Sequence, residues 1–380
     1  MSSRFRRSVL SIAAIAAAAA LAGCAAAVPT GTGVRADAAV SREAECAGSQ
    51  TPFAELAFAA DPKAFEGPST ACLEDTSLPV VDSDESPALP ATVIDVDGHE
   101  VEIASIERIL PLDITGSIAA TVFSLGLGEH VVGRDSSTGF PEAADLPEVT
   151  QGGHSLSAET ILSLDPTVVI TDTTLGPRDV LEQLRDAGIP LVIVTKERSV
   201  ELIDDLVVQV ADALGVPGRG AQLVAETQNR LDAVSAAIDD AIPADAADRP
   251  RMLFLYVRGT ANVYYLFGEE SGADSLIDAV GGVDVAEEIG WTGMKPITAE
   301  ALVQAAPDLV LVMTHGLEST GGVDGLLDRV PALAATPAGE HRRIVDMADS
   351  EVLSFGPRAP EIIEALARAI YAPADSGPLQ

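Results

Sequence analysis

The sequence predicts an α/β protein. It should have two similar α/β lobes with central, mostly parallel sheets, joined by a long rigid helix, with a ligand cleft between them. Three observations carry that expectation. Apolar runs of strand length, such as Val168-Val169-Ile170 and Leu309-Val310-Leu311-Val312-Met313, alternate with helix-length segments. That alternation is the grammar of a parallel sheet covered on both faces. A short pattern also occurs twice at one offset: Ser157-Ala158-Glu159 with Pro166, and Thr298-Ala299-Glu300 with Pro307, each followed by an apolar strand. Finally, segment 219–239 is a long amphipathic stretch rich in Ala, Leu, Gln and Glu, suited to a rigid separator.

Composition narrows the class. The 380 residues suffice for two ordinary domains, and 47% hydrophobic with 4% aromatic content fits a soluble α/β chain. A formal net charge of -35 argues against nucleic acid, whose phosphates need Lys and Arg. At the N-terminus, Arg4, Arg6 and Arg7 precede an apolar run from Val9 to Leu21, and Leu21-Ala22-Gly23-Cys24 follows. A positive flank, a short apolar core and small residues make residues 1–23 a secretory signal peptide. Leu-Ala-Gly-Cys resembles the bacterial lipoprotein box, which implies cleavage before Cys24 and lipid attachment to its thiol. The expected location is the extracytoplasmic face of the cell membrane, lipid-anchored. Cys46 and Cys72 remain, and an exported pair suits a disulfide. Residues 24–90 are therefore expected to be an acidic tether with an extension stapled by that pair.

The first lobe is expected over 91–198. Thr92 to Val96, Asp97-Gly98 and His99 to Ile103 alternate around an Asp-Gly turn as a hairpin. Arg108 to Leu112 is the next strand, residues 117–127 an apolar helix, and Val131 to Arg134 a short strand. Phe140 to Gly153 is a loop, with His154 directly after it. Ser157 caps a helix over 158–164. A strand at 167–171, a helix at 177–187 ended by Gly188, and a strand at 189–194 complete the lobe. Residues 199–249 form a helical connector, interrupted at Gly215-Val216-Pro217-Gly218. The second lobe, 250–380, is expected to run strand 251–257, helix 272–280, a helix opened by Thr298, strand 309–313, helix 322–335, strand 343–345 and helix 358–371.

The strand Arg251-Met252-Leu253-Phe254-Leu255-Tyr256-Val257-Arg258-Gly259 ends in two polar groups of one parity, so Tyr256 and Arg258 leave the same face. Ligands of open α/β sheets sit beyond the carboxyl ends of strands. His154 stands at the corresponding edge of the first lobe. Histidine and tyrosine both serve as axial ligands of haem iron. Free phenols ionise near pH ~10, so a neutral-pH phenolate needs the iron and a neighbouring cation. Arg258 is such a cation; it is also placed to meet a haem carboxylate, and the two roles compete. Each residue also has an ordinary reading. A lone tyrosine at a strand end is usually packing, and a histidine after Gly-Gly is usually a polar loop residue.

Three stretches carry a family resemblance: Arg251 to Gly259, Gly152-Gly153-His154-Ser155-Leu156-Ser157-Ala158-Glu159, and Ala279-Val280-Gly281-Gly282. Over roughly residues 92–375 the chain resembles the haem-binding lipoproteins of bacterial haem ABC transporters, actinobacterial type, within the helical-backbone class of periplasmic binding proteins. The resemblance implies ferric haem b as transported ligand, with His154 and Tyr256 as iron ligands and Arg258 beside the tyrosine. It also implies an ABC permease with its cytoplasmic ATPase as partners, and surface haem-donor proteins as a further one. Its fold pattern is shared by siderophore and vitamin B12 binders.

Further candidates for haem contact are Tyr265, Trp291, Met294 and Arg134, with Tyr264 and Phe267 as packing aromatics, Arg178 for a propionate, and His315, Gly316 and Arg358 near predicted edges. Several functions compete. A ferric-siderophore or corrinoid binder needs no iron ligand from the protein. A zinc or manganese site needs three or four convergent ligands, and the chain has five His in all. An enzyme is disfavoured: no Gly-x-Ser-x-Gly elbow is present, and His–Tyr ligation leaves no open position for oxygen.

Overall fold

The computed structural model describes residues 51–59 and 61–373. The signal segment, Cys24 and Cys46 lie outside the described residues. Among the described residues no helix is long and apolar enough to cross a membrane.

Chain order begins with a short strand, β1 (Ser69–Ala71), and the hairpin β2 (Ala91–Ile94) and β3 (Glu100–Ile103). The first large unit follows: β4 (Ile109–Leu112), α1 (Ser117–Val122), the small hairpin β5 (Thr150–Gln151) and β6 (Ser155–Leu156), α2 (Ala158–Ser163), β7 (Val168–Thr171), α3 (Arg178–Asp186) and β8 (Leu191–Ile193). β4, β7 and β8 form a three-stranded parallel sheet in the order β4-β7-β8. Each of these strands is buried along its whole length, as strands covered on both faces should be. Val131 to Arg134 is not a strand; it contributes isolated bridges to Ile109 and Glu148. The loop expected over 140–153 is more ordered than its composition implied, because its end pairs back on itself as β5–β6.

α4 (Ile203–Ala213) and α5 (Pro217–Ala241) come next in the chain, separated where Gly215 adopts a φ of +69°. Pro217 opens α5, where its missing N–H costs nothing. The second large unit contains β9 (Arg251–Arg258), β10 (Val263–Phe267), α6 (Ala273–Ala279), β11 (Val283–Asp284), α7 (Val285–Glu288), β12 (Met294–Pro296), α8 (Ala299–Ala305), β13 (Leu309–Met313), α9 (Thr314–Thr320), α10 (Gly322–Arg329), α11 (Pro331–Ala334), α12 (Pro337–Glu340), β14 (Ile344–Met347) and α13 (Ala359–Tyr371). Its seven-stranded sheet runs β1-β14-β13-β9-β10-β12, with β11 on β9. β1, β14, β13 and β9 are mutually parallel, while β10 and β12 are antiparallel additions. The repeated cap is real in both units: Ser157 Oγ accepts from Thr160 N–H at 3.3 Å, and Thr298 Oγ1 from Ala301 N–H at 3.1 Å.

Residues 51–90 differ most from the expectation of a tether. From residue 51 on, this segment is strapped across the body. β1 extends the second sheet at β14. Arg343, fully buried, donates to Gly67 O, Ser69 Oγ, Ala369 O and Ile370 O. Leu78 N–H donates to Glu142 of the first unit, and the Glu85 carboxylate caps α5 through the N–H groups of Gly218 and Arg219. Cys72 is disulfide-bonded. The strap was hidden in the sequence because its anchors are single apolar residues, Phe53, Leu56, Leu73, Leu78 and Val81, spaced without a period.

Candidate functional site

β9 is a central strand whose faces serve two cores. Met252 and Phe254 belong to one apolar cluster, and Leu253, Leu255 and Val257 to another. The strand is buried until its last turn of the pleat, where Tyr256 and Arg258 become half-exposed while Val257 between them stays buried. The two side chains therefore emerge together on the face of Phe254, at the carboxyl edge of the parallel strands.

β10 completes this face. Tyr265 stands opposite Tyr256, and Phe267 opposite Phe254. Directly opposed residues of an antiparallel pair share a face. The Tyr256 ring lies 5.8 Å from Phe267 and 6.3 Å from Tyr265, both at 14° between planes. Met294 on β12 pairs with Phe267 and is 56% exposed, so it extends the same face to its rim. Arg258 lies over Tyr256, with its guanidinium carbon 4.6 Å from the ring centroid. The result is a ledge of stacked rings with one phenol at its centre, flanked by a cation.

Tyr264 and Trp291 fall elsewhere. Tyr264 has the opposite parity to Tyr265 and packs against the cluster on the far face of the sheet. Trp291 packs there too, its indole N–H donating to Leu266 O at 3.2 Å. Helix α9 explains His315 and Gly316, which are first-turn residues rather than loop. A Cβ at Gly316 would stand 2.7 Å from Val257 O, so only glycine lets α9 approach the end of β9 this closely. Asp349, which follows β14, was not singled out from sequence. Its carboxylate lies 3.2 Å from Arg258 Nη2, accepts the His315 backbone N–H at 3.0 Å, and lies 3.5 Å from His315 Nδ1. Burial alone pushes Asp349 upward; the His315 contacts and the Arg258 charge outweigh it and hold the group below the usual carboxylate range.

His154 stands at the tip of the β5–β6 hairpin, after Gly152 and Gly153 with φ of +61° and +91°. Its side chain is exposed. The hairpin is docked on the loop that follows β7: Leu156 N–H donates to Gly176 O, and Gly176 N–H to His154 O. That places the imidazole at the carboxyl edge of the first sheet. Ser136 Oγ also donates to Gly153 O at 2.7 Å, tying the tip to the Arg134–Thr138 turn.

That turn rests on a buried polar cluster which sequence reading missed. Asp113 directly follows β4 and Asp172 directly follows β7. Arg198 Nη2 lies 2.6 Å from Asp172 and 3.3 Å from Asp113. Asp135 accepts the N–H groups of Asp113, Ser137 and Thr138 at 2.8–3.0 Å. Burial and the Asp113 charge push Asp135 up to about 7, and the same causes push Asp172 up to about 6 against the pull of Arg198. The signal available in sequence was a polar residue immediately after each apolar strand. Arg134 donates into this turn, at 3.2 Å to Asp135 O, with Glu148 3.9 Å away. Arg178 is exposed beside Asp97, and Arg358 is buried over Phe140 with a bond to Thr76 O. Neither joins the Tyr256 ledge. Among the described residues no three His, Cys, Asp or Glu side chains gather for a bare metal ion.

The periplasmic binding protein family profile matches residues 114–351. The crystal structure of heme binding protein HmuT is 40% identical, covers 82% of this chain and 99% of its own, and superposes with a TM-score of 0.77. Other solved forms of HmuT carry alanine at an arginine, a tyrosine and a histidine. The periplasmic heme-binding protein RhuT from Roseiflexus sp. RS-1, in apo form, is 41% identical over 70% of this chain and 98% of its own, with a TM-score of 0.64. The uncharacterized ABC transporter substrate-binding lipoprotein YvrC of Bacillus subtilis (strain 168) is 24% identical over 285 residues, 74% of this chain and 86% of its own length.

Proposed function

The chain belongs to the periplasmic binding protein family, and from that premise we propose that it is an extracytoplasmic receptor that captures ferric haem and delivers it to an ABC permease driven by a cytoplasmic ATPase. The observation that carries this reading is the ledge at the end of β9: Tyr256 stacked among Tyr265 and Phe267, with a guanidinium over its ring. A flat apolar ligand with a hard metal at its centre matches it. The rings offer area to the macrocycle, and the phenol offers oxygen to the iron. His154, at the carboxyl edge of the first sheet, supplies the second axial ligand. Met294 meets the macrocycle at the rim.

The relatives support the same ligand. Proteins described as heme-binding share 40% and 41% identity with this chain over most of their length. The tyrosine and arginine substituted in HmuT are two residues apart, as Tyr256 and Arg258 are. In this reading the chain turns nothing over. Its chemistry is the exchange of iron ligands, and lipidated Cys24 keeps it at the membrane beside its permease.

The test is an absorption titration of the purified protein with ferric haem. A Soret band that saturates at a defined stoichiometry, and that changes on substitution of Tyr256 and of His154, is the expected result. A ligand-independent spectrum, together with tight binding of a ferric siderophore or a corrinoid, would move the assignment to one of those cargoes.

A further inference from the structure

The sequence left Arg258 with two competing roles: support of the Tyr256 phenolate or capture of a haem carboxylate. Its surroundings in the fold separate them. One amino group, Nη1, donates to Val257 O at 3.1 Å, and the other, Nη2, faces Asp349 Oδ2 at 3.2 Å. Both ends of the guanidinium fork are thus engaged by the protein while its plane covers the Tyr256 ring. Asp349 is itself fixed, because its second oxygen accepts the backbone N–H of His315 at 3.0 Å. That N–H opens helix α9, whose approach depends on Gly316 lying against Val257 O, and on Gly259, whose N–H donates to Ser319 Oγ at 2.7 Å. The chain of contacts runs from the helix to the carboxylate, then to the guanidinium and the ring.

We propose that Asp349 is a positioning residue that reserves Arg258 for Tyr256 and keeps it from acting as a propionate clamp. The proposal rests on the haem reading of the ledge. Two effects of removing the carboxylate oppose each other. Arg258 would carry its charge uncancelled, which favours the phenolate; it would also lose the partner that orients it. Arg258 is one-third exposed, so a freed side chain moves into water, where its charge is screened and the stacking lapses. Orientation therefore wins, and the iron–phenolate bond weakens when Asp349 is lost.

The experiment uses the full chain with Asp349→Asn, Asp349→Glu, Arg258→Ala and the double variant Asp349→Asn/Arg258→Ala. Haem-loaded proteins are compared by visible spectrum and by the rate of haem transfer to excess apomyoglobin. D349N should release haem about threefold to tenfold faster, the range a lost cation–π contact implies, and its spectrum should move toward that of R258A. D349E should restore both. In the R258A background D349N should add nothing, because an effect exerted through Arg258 vanishes with it. An undiminished D349N effect in that background, or slower release by D349N, overturns the proposal. The arginine Nε–H resonances of the haem-free protein form a separate arm. Arg258 should be restrained in wild type and D349E and averaged in D349N. A wild type that takes up no haem would sink the haem reading alone, while this arm still decides whether Asp349 orients Arg258; equal restraint in D349N refutes it.

Discussion

Tyr265 stands directly opposite Tyr256 in the β9–β10 ladder, and their rings stack 6.3 Å apart with planes 14° from parallel. Two phenols share one face, yet of these two only Tyr256 has a guanidinium from the described residues over its ring. Tyr256→Phe should therefore remove the iron–phenolate spectrum, while Tyr265→Phe leaves it in place. Tyr265→Ala should weaken haem binding by about 1 kcal/mol through lost aromatic contact. Spectra and titrations of the three variants check this; loss of the spectrum in Tyr265→Phe would reverse the assignment.

His154 stands at an exposed hairpin tip held by the Leu156–Gly176 and Gly176–His154 backbone bonds and by the Ser136 hydroxyl on Gly153 O, not by its own side chain. His154→Ala should change stability by no more than about 0.5 kcal/mol. The ferric complex should persist with Tyr256 as sole protein ligand. Complete loss of binding would show that the histidine is indispensable rather than the ligand released first.

Trp291 packs on the far face of the second sheet and donates to Leu266 O. Trp291→Ala should cost about 3 kcal/mol of stability and leave the haem spectrum unchanged. Thermal melts beside spectra separate these outcomes. A spectrum altered at full stability would return Trp291 to the ligand site.

Glu85 caps α5 with both carboxylate oxygens, at 3.1 Å to Gly218 N–H and 2.6 Å to Arg219 N–H. Glu85→Ala should lower stability by about 1 kcal/mol and raise amide exchange in the first turn of α5. Unchanged exchange there would mean that the strap does not hold the helix.

Asp135 is pushed up to about 7 by burial and by Asp113, above the usual carboxylate value that it regains on unfolding. The folded state then binds the proton more tightly, so the contribution is present at acid pH and is lost as pH rises through about 7. Asp135→Asn removes the titration. The stability gap between wild type and this variant should shrink by about 2 kcal/mol from pH 5 to pH 8. A gap that widens over that range would identify an ordinary ionised aspartate held by its three N–H donors.

Much of the architecture was open to a reader of residues. Short β-branched apolar runs bounded by turn residues suit strands buried on both faces, and β7, β9, β13 and β14 lie close to where Val168, Leu253, Leu311 and Val345 placed them. The caps at Ser157 and Thr298 were legible for the same local reason. β10 and β12 were not. Val263 to Phe267 and Met294 to Pro296 are edge additions stabilised by pairing with β9 and with each other, and pairing leaves little mark on an isolated segment.

The candidate site divides along the same line. Parity along one strand was enough to put Tyr256 and Arg258 on one face, because side chains alternate every residue. The choice of Tyr265 over Tyr264, the removal of Trp291 to the opposite core, and the place of Asp349 behind Arg258 depend on contacts between segments distant in sequence. Asp349 lies 91 positions beyond Arg258, and no local pattern links them. Local chemistry defined the strand, the phenol and the cation; their partners were set by the pairing of β10 with β9, by α9 against the end of β9 and by Asp349 beyond β14, an arrangement that exists only once the chain has folded.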